Sequence, residues 1–496
     1  MKNLMIIIFI ILAGLSLQTI NAQNPIYDYV ILNGRVIDPE TGLDAIKNVG
    51  IRGDQIVNIT SEKIKAKNEI DASGMVVCPG FVDLHAHGMT NKEHKYQLYD
   101  GVTTALELEG GVGYYDKWIK EKEGKSLVNF GASVPHGTIR AQAMDGYKTF
   151  FKEIEKIIDE EGFEHPKLSK LWINIASSSN DRPTEEELKR VGDLIDKELS
   201  NGALGIGVPV GYYPTCSGTE IFQVYQHAAK RDMPIFSHTR GFKLPGIHEA
   251  INNASITGAP LHICHLNSLS LSEIDLTLAL VEEAQQNGLD ITAEVYPYTA
   301  GSTYIESAIF NEGWQESLGI DYGDLQWEAT GERLTEATFK KYRKEGGLVI
   351  LHMMKEEWVK KGLAHPLTMV ASDGVLDAPG AHPRTAGTYC RILGKYVREE
   401  KLISLPLAIK KMTLMPTQRL ENISPMMRRK GRLQIGADAD IVIFDPENII
   451  DKATFSKLAV SEGIHHVFIN GVHVLRNRKI EEGVYPGRAI VNKFKN

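Results

Sequence analysis

The sequence predicts an α/β fold: a (β/α)8 TIM barrel with a small β-sandwich formed from both ends of the chain. Two observations lead to this prediction. Eight short apolar segments alternate with helical stretches through the middle of the chain. Towards both ends, apolar and polar residues instead alternate between turn clusters. A length of 496 residues suits one large and one smaller domain. The net charge of −8, without long single-sign blocks, does not predict nucleic-acid binding.

The first 22 residues have the pattern of a secretory signal peptide. Lys2 precedes an apolar stretch that is short for a bilayer span, and the small residue Ala22 offers a cleavage point. We expect an exported protein, periplasmic or secreted, without a stable membrane anchor after cleavage. An uncleaved anchor is the alternative. Four scattered cysteines favour buried free thiols over a disulfide scaffold; they are Cys78, Cys216, Cys264 and Cys390.

Residues 23–79 and 426–496 are predicted to be the two parts of the β-sandwich. Strand-like alternation and turn clusters occur in "YDYVILNGRVID" and "NVGIRGDQIVNI" near the start, and in "GRLQIGADADIVIFDP" and "IHHVFINGVHVLRNRK" near the end. Chain termini often lie close together, so we expect the two parts to pair.

Residues 80–425 are predicted to form the barrel domain. A helix is expected over 183–202, which has an acidic first turn and a terminal glycine. The segment 303–345 interrupts the alternation and is rich in Glu, Lys and Gly, so we predict a lid-like insertion over the barrel mouth. The eight strand candidates are 76–87, 103–110, 128–136, 203–211, 234–240, 261–267, 291–297 and 367–374.

Histidines and acids stand at the carboxyl ends of five predicted strands, where barrel enzymes place their active sites. Side chains alternate along a strand, so His85 and His87 share one side and are able to chelate one cation. Imidazoles and carboxylates suit Zn²⁺ and similar metals. Four imidazoles and two carboxylates are enough for two ions, with one carboxylate bridging. The candidates are His85, His87, His238, His265, Asp373 and, from the second strand, Glu107 or Glu109.

The histidine motifs resemble those of the amidohydrolase superfamily of metal-dependent hydrolases. The stretches that carry this resemblance are "PGFVDLHAHG", "SHTRG", "HICHLNS", "ASDG" and "KGRLQIGADADIVIFD". Three further stretches are similar to the D-aminoacylase (N-acyl-D-amino-acid deacylase) branch: "VYPYTAGST", "AHPRTAGTYCRILGKYVRE" and "RAQAMDG". The similarity covers about residues 27 to 490.

The resemblance implies a zinc-dependent hydrolase of small amides, in which metal-activated hydroxide attacks the amide carbonyl. It implies that His85, His87 and Asp373 surround one metal position, and that His238 and His265 surround the other. Asp373 would accept the proton of the attacking water and pass it to the departing amine. Two zinc ions are therefore expected.

The second strand departs from the branch pattern, which has a cysteine ligand there. The stretch "GVTTALELEGG" offers Glu107 and Glu109 instead. The two glutamates share parity, so either is able to face inwards. Glu109 is favoured because it lies nearer the carboxyl end of the strand. The fourth strand, "ALGIGVPVG", also lacks the lysine that hydantoinase-like relatives carboxylate.

The resemblance also implies a set of substrate contacts. Arg384 corresponds to the arginine that holds a substrate carboxylate, for which its planar fork is suited. Tyr296, Ser302 and Tyr213 match other substrate-contacting positions. D-aminoacylases tend to carry a lysine where this chain has Asn267, so one cationic contact is lost. A different acyl-amino acid, a dipeptide or another small amide therefore stays open as the substrate.

Two rival functions follow from the same residues. The first is a cyclic-amide hydrolase of the dihydroorotase or hydantoinase type, which the absent lysine and the "HPR" stretch argue against. The second is a non-enzymatic binding protein on a barrel scaffold, which an intact set of ligands argues against. No nucleic-acid partner is expected, and the sequence leaves the oligomeric state open.

Overall fold

A computed structural model describes residues 27–168, 170–171, 177–376 and 381–495. The predicted signal peptide, residues 1–22, lies outside the described residues. Within these ranges, no helix combines the length and the apolar content that a membrane crossing requires.

Both ends of the chain contribute to one nine-stranded sheet. The strand Val76–Pro79 joins the two parts, because it pairs parallel with Tyr27–Asp38 and antiparallel with Ile441–Phe444. The expected pairing of the chain ends is therefore confirmed. The strands of this sheet are Tyr27–Asp38, Leu43–Arg52, Gln55–Thr60, Ala66–Asp71, Val76–Pro79, Ile441–Phe444, Ile464–Ile469, Val472–Arg476 and Lys479–Ile480.

Eight parallel strands form the predicted barrel. The barrel closes between the eighth and first strands, where Ala86 bridges Gly374 and the Asp373 N–H donates to the His85 carbonyl at 2.8 Å. Each of the eight strand candidates overlaps one barrel strand, so the predicted fold class is confirmed. In order, the barrel strands are Phe81–Asp83, Val102–Glu107, Asn129–Ala132 with its continuation Val134–Pro135, Ile206–Pro209, Ile235–His238, Leu261–Ile263, Ile291–Val295 and Thr368–Val370.

Helices connect the barrel strands and cover the outside of the barrel. The helix Glu185–Ser200 begins at Thr184, which forms a capping box with Glu187, and its acidic first turn suits the helix dipole. The α-helices are Asn91–Tyr99, Tyr115–Lys122, His136–Ala143, Lys148–Glu161, Glu185–Ser200, Gly218–Lys230, Lys243–Thr257, Leu266–Ser270, Ile274–Gln286, Trp314–Leu318, Glu336–Glu345, Glu356–Ala364, Arg384–Arg391, Leu405–Met412 and Leu414–Leu420. A π-helix spans Ile392–Glu399, and 3₁₀ turns span Asp145–Tyr147, Ser177–Asn180, Val210–Tyr212, Leu271–Glu273, Ala308–Phe310, Tyr322–Asp324 and Pro425–Arg429.

The insertion after the seventh barrel strand is a small folded unit with a sheet of its own. Its three antiparallel strands are Gly301–Tyr304, Leu325–Trp327 and Leu348–Leu351. The Trp327 and Tyr342 rings stack in its apolar core, with centroids 4.2 Å apart. The unit extends further along the chain than the predicted 303–345. Its first strand begins at Gly301 and its last strand ends at Leu351, and these two strands pair with each other.

Apolar packing joins the barrel, its helices and part of the terminal sheet into one core, and a second core lies on the other side of that sheet. Ile31, Val49 and Phe468 belong to the second core, which therefore draws on both ends of the chain. All four cysteines are free and buried, as the sequence predicted.

Gly471 tests the contact between the two parts of the terminal sheet. A Cβ at this position would lie 1.9 Å from the Gly53 carbonyl oxygen, and the residue has a φ of +78°. We expect Gly471→Ala to lower the free energy of unfolding by about 2 kcal/mol from overpacking, beyond the cost of the backbone conformation. Denaturant unfolding would measure this loss.

Gly436→Ala is the matched control, since Gly436 has a φ of +88° but faces open space. It should cost only the backbone penalty, about 1 kcal/mol. An equal loss of unfolding free energy in the two variants would contradict the close approach of Gly471 to Gly53.

Candidate metal centre and active site

The predicted ligands converge at the carboxyl ends of the barrel strands, at the base of a cavity of about 390 Å³. The barrel supplies the polar base of the cavity, and the insertion supplies much of its apolar wall. Residues that line the base include His87, Glu109, His238, His265, Asp373 and Arg384. Apolar residues that line the wall include Phe242, Leu269, Ile309, Leu348, Leu351 and Met353.

The carboxylate of Glu109 lies between two sets of imidazoles. Its Oε2 is 3.3 Å from His85 Nε2 and 3.4 Å from His87 Nε2. Its Oε1 is 3.0 Å from both His238 Nδ1 and His265 Nε2. We call His85, His87 and Asp373 the first half of the centre, and His238 and His265 the second half. Each oxygen of Glu109 thus faces a different half.

Asp373 completes the first half. Its Oδ1 is 3.4 Å from His85 Nε2 and 3.3 Å from His87 Nε2, and its Oδ2 forms an ion pair with Arg384 Nη1 at 2.8 Å. Burial raises the pKa of Asp373, but the charges of Arg384 and His85 outweigh burial and hold that pKa well below its ordinary value. Asp373 is therefore a carboxylate at neutral pH.

Two further carboxylates fix the tautomers of the first-half histidines. His85 Nδ1 lies 2.5 Å from Glu294 Oε1, and His87 Nδ1 lies 2.8 Å from Glu107 Oε2. A carboxylate only accepts hydrogen bonds, so each Nδ1 carries a proton, and in the neutral ring that binds a metal each Nε2 has its lone pair free. The two Nε2 atoms are 3.1 Å apart and face the carboxylate oxygens described above.

These converging lone pairs repel one another unless a cation lies among them, so the donor set fits a divalent metal. Each half has three ligand atoms close enough to bind one metal ion. In the first half, one ligand atom from each of His85, His87 and Glu109 lies within 4.8 Å of the other two. The same holds in the second half for Glu109, His238 and His265. Burial lowers the pKa of His85, yet the carboxylates around it raise that pKa well above its ordinary value. The site therefore favours positive charge.

The two glutamates that the sequence left as alternatives have different positions. Glu109 lies between the halves, whereas Glu107 contacts His87 and accepts a hydrogen bond from the Gly110 N–H at 2.9 Å. Both side chains point inwards, as their shared parity required. The structure places Glu109, which the sequence favoured, beyond the last residue of the strand Val102–Glu107, where its carboxylate contacts imidazoles of both halves.

Three of the predicted substrate-contacting residues line the cavity together. Arg384 donates from Nη2 to the Ser302 carbonyl at 3.2 Å, and its guanidinium lies 4.9 Å from the centre of the Tyr296 ring. Tyr296 is buried, and burial raises the pKa of its hydroxyl to about 12. This hydroxyl is therefore protonated at neutral pH.

The structure places the other two predicted substrate contacts away from the cavity. Tyr213 packs over Gly137, because the 3₁₀ turn Val210–Tyr212 directs Tyr212 to the cavity instead. The Tyr212 hydroxyl lies 2.9 Å from Thr303 Oγ1. Asn267 is buried and donates to the Tyr296 carbonyl at 2.9 Å.

Sequence reasoning missed Glu294, which contacts His85 from the seventh strand. It also excluded His262 because of its parity. His262 does not face the cavity, but its Nε2 lies 2.9 Å from Glu294 Oε2. A lone acid within the apolar strand "ITAEV" was the available signal, since buried carboxylates require partners.

Gly207 in the fourth strand supports Glu109 from behind. A Cβ at this position would lie 2.2 Å from the Glu109 carbonyl oxygen, so Gly207→Ala has to displace the end of the second strand. We expect this variant to bind metal at least about tenfold more weakly, as when outer contacts of a metal site are lost. Elemental analysis after dialysis against graded chelator would measure the change. Gly218→Ala, which meets open space, is the control; equal retention in both variants would refute the supporting role.

No protein-family model matches the chain. Two curated relatives come from Alcaligenes xylosoxydans xylosoxydans. An N-acyl-D-glutamate deacylase is 26% identical over 90% of this chain and 93% of its own length. A D-aminoacylase is 26% identical over 94% of this chain and 97% of its own length.

Solved structures agree with the fold. The zinc- and phosphonate-bound N-acyl-D-glutamate deacylase of Bordetella bronchiseptica has a TM-score of 0.79 at 24% identity, and the match covers 94% of this chain and all of that one. A D-aminoacylase with a binuclear metal centre has a TM-score of 0.78 at 24% identity, with the same coverage. The chain is thus similar over most of its length to a D-aminoacylase and an N-acyl-D-amino-acid deacylase, as its motifs predicted.

Proposed function

We propose that the protein is a zinc-dependent amide hydrolase that deacylates N-acyl-D-amino acids or similar small amides. The observation that carries this proposal is the position of Glu109, with one oxygen towards each set of imidazoles and Asp373 beside them. Two zinc ions would be held by the first and second halves with Glu109 between them. The binuclear centre and the zinc of the homologous enzymes support this arrangement.

When bound, the metal supplies Lewis-acid chemistry that acidifies water and polarises the amide carbonyl. Asp373 accepts the water proton and delivers it to the departing amine nitrogen, so that amide and water become carboxylate and amine. Asp373 is buried at the base of the cavity, and its carboxylate lies beside the Nε2 atoms of His85 and His87, where the metal-activated water would be held. The Arg384 pair orients this carboxylate through Oδ2 and leaves Oδ1 on the side of the histidines.

Arg384 also binds the carboxylate of the substrate. Among the described residues, none accepts a hydrogen bond from Arg384 Nε, which is buried beside the cavity. A guanidinium edge of this kind holds a carboxylate through two parallel hydrogen bonds. Tyr296 and Ser302 stand beside it and are able to orient the same substrate group.

The rest of the cavity favours a neutral, apolar substituent on the substrate. Arg384 is the one arginine or lysine among the described residues that line the cavity, and much of the wall that the insertion supplies is apolar. A second carboxylate on the substrate, as in an acyl-glutamate or acyl-aspartate, would enter this wall without a partner at a cost of several kcal/mol.

We propose further that the enzyme acts outside the cytoplasm. The charged start, apolar stretch and small residue of positions 1–22 support export. Fractionation of the producing cells, with amino-terminal sequencing of the mature chain, would test this proposal.

A substrate screen tests the proposed function. The zinc-loaded chain would be assayed with N-acetyl-D- and N-acetyl-L-amino acids, dipeptides, dihydroorotate and hydantoins. We expect hydrolysis of N-acetyl-D-leucine or N-acetyl-D-methionine at least about tenfold faster than that of the glutamate and aspartate analogues, because one buried unpaired charge costs more than 1.4 kcal/mol. Turnover confined to cyclic amides would instead assign the rival function, and activity that survives complete metal removal would refute the metal mechanism.

Asp373→Asn tests the proton-transfer role. The amide keeps the size of the side chain but cannot accept the water proton, so we expect kcat to fall by about 10²- to 10⁴-fold. Bound zinc, measured by elemental analysis on the same sample, should be largely retained through the histidines and Glu109. Normal kcat with normal zinc content would contradict this role.

A further inference from the structure

We propose that Glu294 is a positioning residue that couples the two halves of the metal centre. This inference rests on the proposed metal site but concerns a residue outside the predicted ligand set. If it holds, a substitution at Glu294 weakens metal binding in both halves, although its side chain lies behind the ligands.

Three donors converge on this buried carboxylate. Its Oε1 accepts from His85 Nδ1 at 2.5 Å and from the backbone N–H of His265 at 3.3 Å. Its Oε2 accepts from His262 Nε2 at 2.9 Å. The same oxygen, Oε1, thus contacts one residue of the first half and one residue of the second half.

On the first half, Glu294 sets the orientation of the His85 ring. The bond to Nδ1–H fixes the tautomer and directs Nε2 to the space shared with His87 and Asp373. A histidine ring without such a partner is able to turn about χ2 and to exchange its tautomer. Outer partners of this kind typically contribute 10- to 100-fold to metal affinity.

On the second half, Glu294 holds the backbone of His265. This residue has a φ of +32° at the start of the short helix Leu266–Ser270, a conformation that non-glycine residues seldom adopt. The bond from its N–H to Glu294 helps to keep it there. Its Nε2 consequently reaches Glu109 Oε1 at 3.0 Å.

His262 and Thr292 hold Glu294 in place. Because His262 Nε2 donates to the carboxylate, its Nδ1 accepts from the Thr292 hydroxyl at 2.8 Å. Thr292 and Glu294 lie two residues apart on the seventh strand, so both face the same side of it. The connected side chains Thr292, His262, Glu294 and His85 therefore run from the interior of the barrel to the centre.

Glu107 provides a matched comparison. It is also a buried glutamate whose carboxylate fixes a first-half histidine, with His87 Nδ1 at 2.8 Å. Its other oxygen accepts from the Gly110 N–H and contacts no residue of the second half. If Glu294 acts only on its own histidine, substitutions at Glu294 and Glu107 should each weaken zinc binding in the first half alone. If Glu294 couples the halves, only its substitution should weaken zinc binding in both.

The experiment compares Glu294→Gln with Glu107→Gln in the full-length chain. Metal is removed, and Zn²⁺ is titrated back in competition with a chromogenic chelator, which yields a binding constant for each half. His238→Ala, which removes one second-half imidazole, assigns the constants. We expect Glu107→Gln to weaken the first half alone by about 10- to 100-fold, and Glu294→Gln to weaken both halves by about that factor. Glutamine keeps one oxygen and replaces the other with an NH2 group, so an acceptor beside a histidine or the His265 N–H is lost, and the negative charge beside His85 is removed.

If the wild-type chain shows two zinc-binding constants and Glu294→Gln lowers only one of them, or neither, the inference is overturned while the proposed function stands. A wild-type chain that binds no zinc would overturn the proposed function, and the inference with it. Circular dichroism and thermal unfolding check that each variant is folded. If Glu294→Gln does not fold, Thr292→Val replaces it as the test. This substitution removes only the hydrogen bond from the Thr292 hydroxyl to His262, and we expect it to lower both zinc-binding constants. Unchanged constants in a folded Thr292→Val would then refute the coupling.

Discussion

The site depends on one electrostatic constraint: the buried carboxylate of Glu109 has to be matched by charge or donors on both of its oxygens. Four imidazoles from the first, fifth and sixth barrel strands surround it, with nitrogen atoms 3.0 to 3.4 Å away. Burying an ion without such partners costs several kcal/mol. Closure of the barrel brings the end of the first strand to the ends of the fifth and sixth strands, which are neighbours of each other, so the fold and the centre are consequences of the same closure. The packing of Gly207 against the Glu109 backbone contributes to the same arrangement, because it fixes the position of the end of the second strand and so of the Glu109 side chain.

The backbone contributes to the same constraint at two positions. His265 and Asp373 both have positive φ values, +32° and +53°, and both lie in the short turns that follow the barrel strands Leu261–Ile263 and Thr368–Val370. Residues are held in such conformations when surrounding bonds determine them, and these positions concentrate at functional sites. Here the Asp373 N–H bonds to the His85 carbonyl, and the His265 N–H bonds to Glu294. The bonds that close the barrel and support its interior thus also aim two of the proposed ligands.

Local pattern was enough to predict the eight strands, the histidine pair and the convergence of the acids, because strand parity and barrel topology act along the chain. Parity did not separate Glu107 from Glu109, and Glu109 was favoured only because it lies nearer the carboxyl end of the strand. Tyr212 and Tyr213 were equally close in sequence, and a 3₁₀ turn decided which of them faces the cavity. Glu294 was missed because its partners are 209 and 32 residues away in the chain. Such partners become visible only when side chains from different strands pack together.

The insertion gives the cavity two chemically different ends. Its first strand is tied to the barrel by polar contacts, from Arg384 to the Ser302 carbonyl and between Tyr212 and Thr303. These contacts hold the charged guanidinium next to the metal centre, and the neighbouring strand Leu348–Leu351 of the same small sheet supplies part of the apolar wall. A ligand that is held by a carboxylate at Arg384 would therefore extend any remaining group along apolar surface. Because the strand that contacts Arg384 pairs with a strand that supplies the wall, we expect a change in the insertion that enlarges the wall to alter the setting of Arg384 as well, so that carboxylate binding and side-chain selection vary together.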